Sequence, residues 1–262
     1  MDFRAKVQTA VRVSRTFGPL ELARLASRKM SAPKSGSGEV FKPQGVQIRK
    51  VSDLTDEFFS LLLRTSEEKI RLARSQYMVY QSRFSQKVDA PRKSFFNPIY
   101  DLGPGMSEFI FLSVLIKKPQ FVFETGVAAG ISTDSILSAM QLNKSGCLVS
   151  LDITEKVGEL IDDKLKARWR LEILPELARE KSFVQMLKSN NQTSIFLHDS
   201  YHSASWQIKE FSHVVQHLPG IELILFDDIS QELINLIIAD YANYQILVID
   251  ENRKYSAIIT KS

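Results

Sequence analysis

Residues Phe121 to Thr133, FVFETGVAAGIST, set a run of strand-formers, a turn of small residues and the start of a helix side by side. A second apolar strand, LVSLDIT, ends in a carboxylate at Asp152 about twenty residues further on. This is the first βαβ unit of a nucleotide-cofactor fold, with a turn for the cofactor's backbone and an acid for its ribose hydroxyls. The chain is thereby held to the α/β class. Apolar runs predict strands at 121–125, 147–151, 170–173, 194–198, 222–226, 245–249 and 255–260. Helices are expected between the first five, and a hairpin around Glu251-Asn252-Arg253-Lys254 joins the last two. Before them, Val51–Phe84 carries a helical pattern (Leu54, Phe58, Phe59, Leu62, Leu63, Ile70, Leu72, Tyr77), and a helix is predicted from about Ser107 to Lys117.

The spacing of the turn selects the cofactor. A dinucleotide fingerprint starting at Gly126 needs glycine at 128 and 131, where the chain has Ala128 and Ile131. What stands there is Glu124, Gly126, Ala128, Gly130 at alternate positions. Taken alone, a tight strand-to-helix turn with no ligand would use the same residues. The pattern resembles motif I of the class I S-adenosylmethionine methyltransferases, with alanine at the usual third glycine. The resemblance implies a Rossmann-like seven-stranded methyltransferase sheet, helices on both faces, one strand reversed near an edge, and a helical N-terminal extension. It implies S-adenosylmethionine as cofactor, approached by Glu124 and by Gly126 and Gly130, which lack a Cβ, with Asp152 on the ribose. Ser132 and Thr133 at the helix start are expected to hold the methionine carboxylate. Ser107 and Glu108 match a segment that touches the cofactor in catechol-type relatives.

The net charge of +4 is an average over two unlike parts. Residues 1–50 hold eleven Lys and Arg against three acids, leaving 23 against 27 in the remainder. The arm has helical spacing over 3–30, with Arg4, Arg12, Arg15, Arg24, Arg28 and Lys29 around an apolar stripe. SAPKSGSGEVFKPQG, residues 31–45, is a linker. The domains are therefore read as 1–50 and 51–262, with 51–105 a helical cap for the substrate. A basic helix of this kind suits an anionic membrane surface or a partner; it equally suits docking on the domain or on a second subunit. A homo-oligomer is expected. The single cysteine, Cys147, rules out a disulfide framework and suits a reducing compartment. The N-terminus has no uninterrupted apolar stretch of the signal-peptide kind, and no run approaches membrane-spanning length, so a cytoplasmic protein is expected.

A second constellation pairs SIFLHDSYHSASW, Ser194 to Trp206, with ELILFDDIS, Glu222 to Ser230. Both are apolar strands ending in acids: Asp199 on one, Asp227 and Asp228 on the other. Ligands of an open parallel sheet lie beyond the carboxyl ends of its strands, so these acids converge. Three carboxylates together call for a cation, and hard oxygen ligands suit Mg²⁺ or another divalent ion. Any one aspartate might instead cap the following helix. ETGVAAGIST, HDSYH and FDD together resemble the small-molecule O-methyltransferases of macrolide and aminocoumarin sugar tailoring and their cephalosporin-hydroxylase-like relatives, over roughly residues 100–260. That resemblance implies a divalent metal on Asp199, Asp227 and Asp228 and a general base at His202. His198, His213 and His217 are read as structural. One departure is plain: the Gly-Asp-Ser triplet that relatives place near the adenine is missing, and Glu176 or Lys181-Ser182 stands in its region.

The expected function is metal-assisted, S-adenosylmethionine-dependent O-methylation of a hydroxyl on a sugar or other polyhydroxylated small molecule. A nucleic-acid methyltransferase fits less well, because the cofactor domain is acidic where a phosphate backbone needs Lys and Arg. The Asn/Asp-Pro-Pro-aromatic signature common in base N-methyltransferases is also absent. The other alternative is a binding module that keeps the fold without catalysis.

Overall fold

Period-two alternation sorts the strand side chains onto two faces, and each face has its own layer of helices. Val122, Leu148, Leu197 and Leu225 pack to one side, while their neighbours Phe123, Val149, Phe196 and Ile224 pack to the other. Strands buried on both faces read as continuous apolar runs, which is why these segments stand out in the sequence.

The computed structural model describes residues 43–89, 102–174, 178–251 and 254–261. Residues 1–42, with the expected basic helix, and residues 90–101, 175–177 (Glu176 among them), 252–253 and 262 lie outside the described residues. The strands are β1 (Gln47–Lys50), β2 (Phe121–Thr125), β3 (Cys147–Asp152), β4 (Trp169–Ile173), β5 (Thr193–His198), β6 (Leu223–Phe226), β7 (Tyr244–Asp250) and β8 (Tyr255–Lys261). The helices are α1 (Asp56–Leu63), α2 (Glu67–Asp89), α3 (Pro104–Lys117), α4 (Ile131–Asn143), α5 (Arg179–Ser189), α6 (Ala204–His217) and α7 (Gln231–Asp240). Residues of α1 to α4 share the core on one face, and residues of α5 to α7 share the core on the other.

The sheet has eight strands in the order β1-β7-β8-β6-β5-β2-β3-β4, with β8 antiparallel to both neighbours. The seven expected strands are all present, and β1 adds an eighth, parallel to β7 in register Gln47↔Leu247. Its four residues, QIRK, lack an apolar run because this strand lies at an edge of the sheet. One compact unit runs over Pro43–Ser262. Two expectations are adjusted. The helical stretch from Val51 breaks at Arg64, which is left-handed at φ 54 and closes α1 before Ser66 opens α2. Between β3 and β4 the chain makes only the short 3₁₀ turn Asp163–Arg168.

Strand order reverses between β2 and β5: β3 and β4 extend to one side of β2, and β5 crosses to the other. A crevice opens at the carboxyl ends of such a pair, which is where this fold class binds ligands.

Candidate active site

The turn after β2 is built by its neighbours as much as by its own residues. Gly126 (φ 84), Ala128 (φ 47) and Gly130 (φ 96) are all left-handed. A β-carbon on Gly126 would overlap the carbonyl of Asp199, and one on Gly130 would meet the side chain of Ile161 at 2.8 Å. Glycine is thus required at both positions by chain packing. Ala128 keeps the backbone conformation of a glycine and bears its steric cost, about 1–2 kcal/mol. Its carbonyl accepts from Gly158 N at 2.9 Å, and that of Ala129 accepts from Leu160 N at 2.9 Å, so the segment after β3 lies against the turn.

Glu124 is wholly buried and accepts three hydroxyls: Ser132 Oγ at 2.6 Å, Thr133 Oγ1 at 2.8 Å and Ser150 Oγ at 2.6 Å. Trp169 Nε1 donates to that same Ser150 hydroxyl at 2.9 Å. Burial pushes the Glu124 carboxyl up to about 7, against the pull of these hydroxyl bonds. The structure places Glu124, Ser132 and Thr133, expected as cofactor ligands, together at the turn and bonded to one another. Their side chains are spent on one another, pinning the start of α4 to β2 and β3. What α4 offers a ligand is its first-turn N–H groups, which have no acceptor within the helix.

Asp152, half-buried at the end of β3, holds the turn from the far side. Its Oδ2 accepts from Val127 N at 3.0 Å, and its Oδ1 from Ile153 N at 2.7 Å and Thr154 N at 3.3 Å. A carboxylate has about four lone-pair sites, so acceptor capacity remains for ribose hydroxyls. The Gly126–Gly130 turn with Asp152 beside it fits S-adenosylmethionine. Ser107 and Glu108 do not join this group. The buried Ser107 hydroxyl donates to Leu102 O at 3.5 Å, while Glu108 pairs with Arg74 at 2.7 Å in a cluster with Asp56 that ties α1, α2 and α3 together. Of the adenine candidates, Glu176 lies outside the described residues; Lys181 and Ser182 fall in the first turn of α5.

The ends of β2, β5 and β6 are stepped against one another. Asp199 N donates to Thr125 O at 2.7 Å, and Asp227 N donates to His198 O at 2.9 Å. This brings carboxylate oxygens of Asp199 and Asp227 and a ring nitrogen of His202 within 4.8 Å of one another. The two carboxylates are hard oxygen donors that fit a divalent cation, manganese as readily as magnesium, with the imidazole beside them. Asp228, also expected as a ligand, stands outside this group: its backbone is left-handed (φ 48) and its side chain is 44% exposed. Burial, and then Asp227, push the Asp199 carboxyl well above the usual carboxylate range. The exposed His202 ring stands edge-on to that of His198, 5.5 Å between centroids; lost hydration and then His198 lower its pKa, so the imidazole is neutral at pH 7.

Several members of the site carry no signal in the sequence pattern. Lys254 sends its ammonium to Asp227 Oδ2 at 2.6 Å and to within 4.0 Å of Asp228 Oδ2. Ser256 donates to Asp227 Oδ1 at 3.1 Å. Both belong to the hairpin, whose residues read as turn and strand. Glu251, beside them, accepts from Gly105 N at 2.5 Å and Met106 N at 3.0 Å and caps α3. Gln207, fully buried on α6, clamps the loop after β6: it donates to Asp228 O and accepts from Ser230 N, each at 2.8 Å. His198, read as structural, bonds Glu210, which also accepts from Thr125 Oγ1 at 3.0 Å and Ser200 Oγ at 3.3 Å. His213 likewise meets Glu180 at 3.1 Å.

Residues 123–229 match the family model described as a methyltransferase domain, a span that holds both the turn and the Asp199–Asp227 pair. A search of curated proteins finds no match. Among solved structures, the chain is similar to an SAH-bound methyltransferase of Podospora anserina (12% identity, 69% of this chain and 87% of that one, TM-score 0.49). It is also similar to an O-methyltransferase of Bacillus cereus in complex with SAH (15% identity, 80% and 100%, TM-score 0.46). A third likeness is to a methyltransferase of Geobacter sulfurreducens (14% identity, 69% and 97%, TM-score 0.47).

Proposed function

We propose that this chain, a class I S-adenosylmethionine-dependent methyltransferase, methylates a hydroxyl of a sugar or other polyhydroxylated small molecule, with a divalent cation held by Asp199 and Asp227. The observation that carries this reading is the convergence of Asp199, His202 and Asp227 at the switch point, beside the turn at Gly126. The bound sulfonium supplies a methyl group already activated for displacement. The protein must then orient an acceptor hydroxyl in line with it and take the proton away. His202, neutral at pH 7, receives that proton as the O–C bond forms and the S–C bond breaks. A cation on the two carboxylates would fix two adjacent acceptor oxygens and lower the pKa of the one that reacts. That chelation is what favours a polyhydroxylated acceptor over an isolated alcohol. Asp152 and the Gly126–Gly130 turn seat the cofactor, and the backbone contact between Gly126 and Asp199 sets the cofactor's turn against the acceptor's carboxylates.

The test is transfer of a labelled methyl group to a panel of sugars, glycosides and catechols, with added Mn²⁺ or Mg²⁺ and with EDTA. Label is expected in vicinal diols and is expected to be lost in EDTA. Transfer that EDTA leaves untouched would remove the metal from the reading, and label confined to nucleic acid or protein would remove the acceptor class.

A further inference from the structure

The Asp199–Asp227 cluster already has a cation of its own. Lys254 enters it from the β7–β8 hairpin, where Glu251 N donates to Lys254 O at 2.9 Å and fixes the start of the side chain. Its ammonium lies 2.6 Å from Asp227 Oδ2, and the side chain is only 21% exposed. The other Asp227 oxygen accepts from Ser256, so both oxygens of this carboxylate are engaged. A divalent ion bound between Asp199 and Asp227 would stand within a few ångströms of the ammonium. Like charges that close repel strongly wherever solvent is partly excluded.

We infer that Lys254 is the resident counter-cation of the Asp199–Asp227 site, and that its ammonium and a divalent cation occupy that site in exclusion of one another. This rests on the metal-assisted reading above. Three observations support it: the ammonium bonds one of the would-be ligands, it is itself largely enclosed, and its four-carbon stem is long enough to withdraw toward Asp228, 4.0 Å away and half-exposed. The acceptor site therefore has two states. With lysine inward, the Asp227 carboxylate is paired without metal. With metal bound, lysine is outward, beside the position an acceptor would take. Affinity for the metal is weakened by the work of displacing the lysine, which makes occupancy sensitive to anything that draws the ammonium away, an anionic acceptor included.

The experiment titrates Mn²⁺ alone into the full-length wild type, Lys254→Met and Lys254→Arg by calorimetry. The methionine variant is expected to bind about tenfold more tightly or better than wild type, the scale of one removed like-charge contact, while the arginine variant stays near wild type. Equal Mn²⁺ affinity in all three overturns the inference and leaves the metal reading standing. Absence of binding in all three overturns both. Should the methionine variant fail to fold, pulse acetylation of wild-type lysines read by peptide mass spectrometry gives the same answer: Lys254 is expected to be protected without metal and labelled several-fold faster with saturating Mn²⁺. Unchanged labelling overturns the inference.

Discussion

The carbonyl of Asp199 fills the space that a β-carbon on Gly126 would need. The turn after β2 and the strand end that carries Asp199 are therefore a single packed unit. Gly126→Ala would face both a left-handed backbone and a collision with main chain that has no rotamer to change. It is expected to destabilise the protein by more than about 3 kcal/mol, the combined scale of the two penalties. Urea unfolding measures this, and an unchanged midpoint would separate the two motifs.

Ala128 presents the reverse case. It bears left-handed strain at φ 47 where glycine would bear none. Relief of that strain outweighs the extra freedom glycine gains in the unfolded chain, so Ala128→Gly is expected to stabilise by about 0.5–1 kcal/mol. Cofactor affinity should stay as it is. Destabilisation in urea would mean that the alanine methyl packs usefully.

The residues that were legible before the structure are those that one strand or one turn specifies. Strands buried on both faces announced themselves as apolar runs, and Gly126, Gly130, Asp152, Asp199 and Asp227 follow from where those runs stop. β1 was not legible because QIRK is a short, polar edge strand. The break between α1 and α2 rests on a left-handed arginine that no pattern requires. Lys254 reaches the site from a hairpin remote in sequence, placed there by the strand order, while Glu210 and Gln207 reach it through the packing of α6. The bonds from Ser132 and Thr133 to Glu124 were not legible, because spacing cannot say whether a hydroxyl faces a ligand or a buried carboxylate.

Glu124 makes the fold sensitive to pH. Below pH 4.5 its carboxyl is protonated in folded and unfolded chains alike and costs nothing. Between 4.5 and about 7 the unfolded chain ionises first, so stability falls as pH rises; above about 7 the penalty is complete. Its full size is on the order of 3 kcal/mol. Glu124→Gln keeps the shape and an acceptor, and is expected to remove most of this slope. Denaturant midpoints at pH 5 and pH 8 measure it, and an equal slope in the variant would assign the pH dependence elsewhere.

Asp228 and His202 can be told apart from the metal ligands by separating binding from turnover. Asp228→Asn suits the left-handed backbone and is expected to keep Mn²⁺ binding within about twofold, whereas Asp227→Asn should lose it. His202→Ala is expected to keep the ion and lose turnover by roughly 10²–10⁴-fold, as for a lost general base. Loss of Mn²⁺ in the His202 variant, followed by calorimetry, would make that ring a ligand instead.

The most direct test of a cofactor turn and an acceptor site with separate duties is calorimetric titration of S-adenosylmethionine into the wild type, Asp152→Ala and His202→Ala. Wild type and the His202 variant are expected to bind with the same affinity, and the Asp152 variant roughly tenfold or more weakly, the scale of a lost charge-assisted pair. No binding to the wild type, or equal binding by the Asp152 variant, would contradict the account.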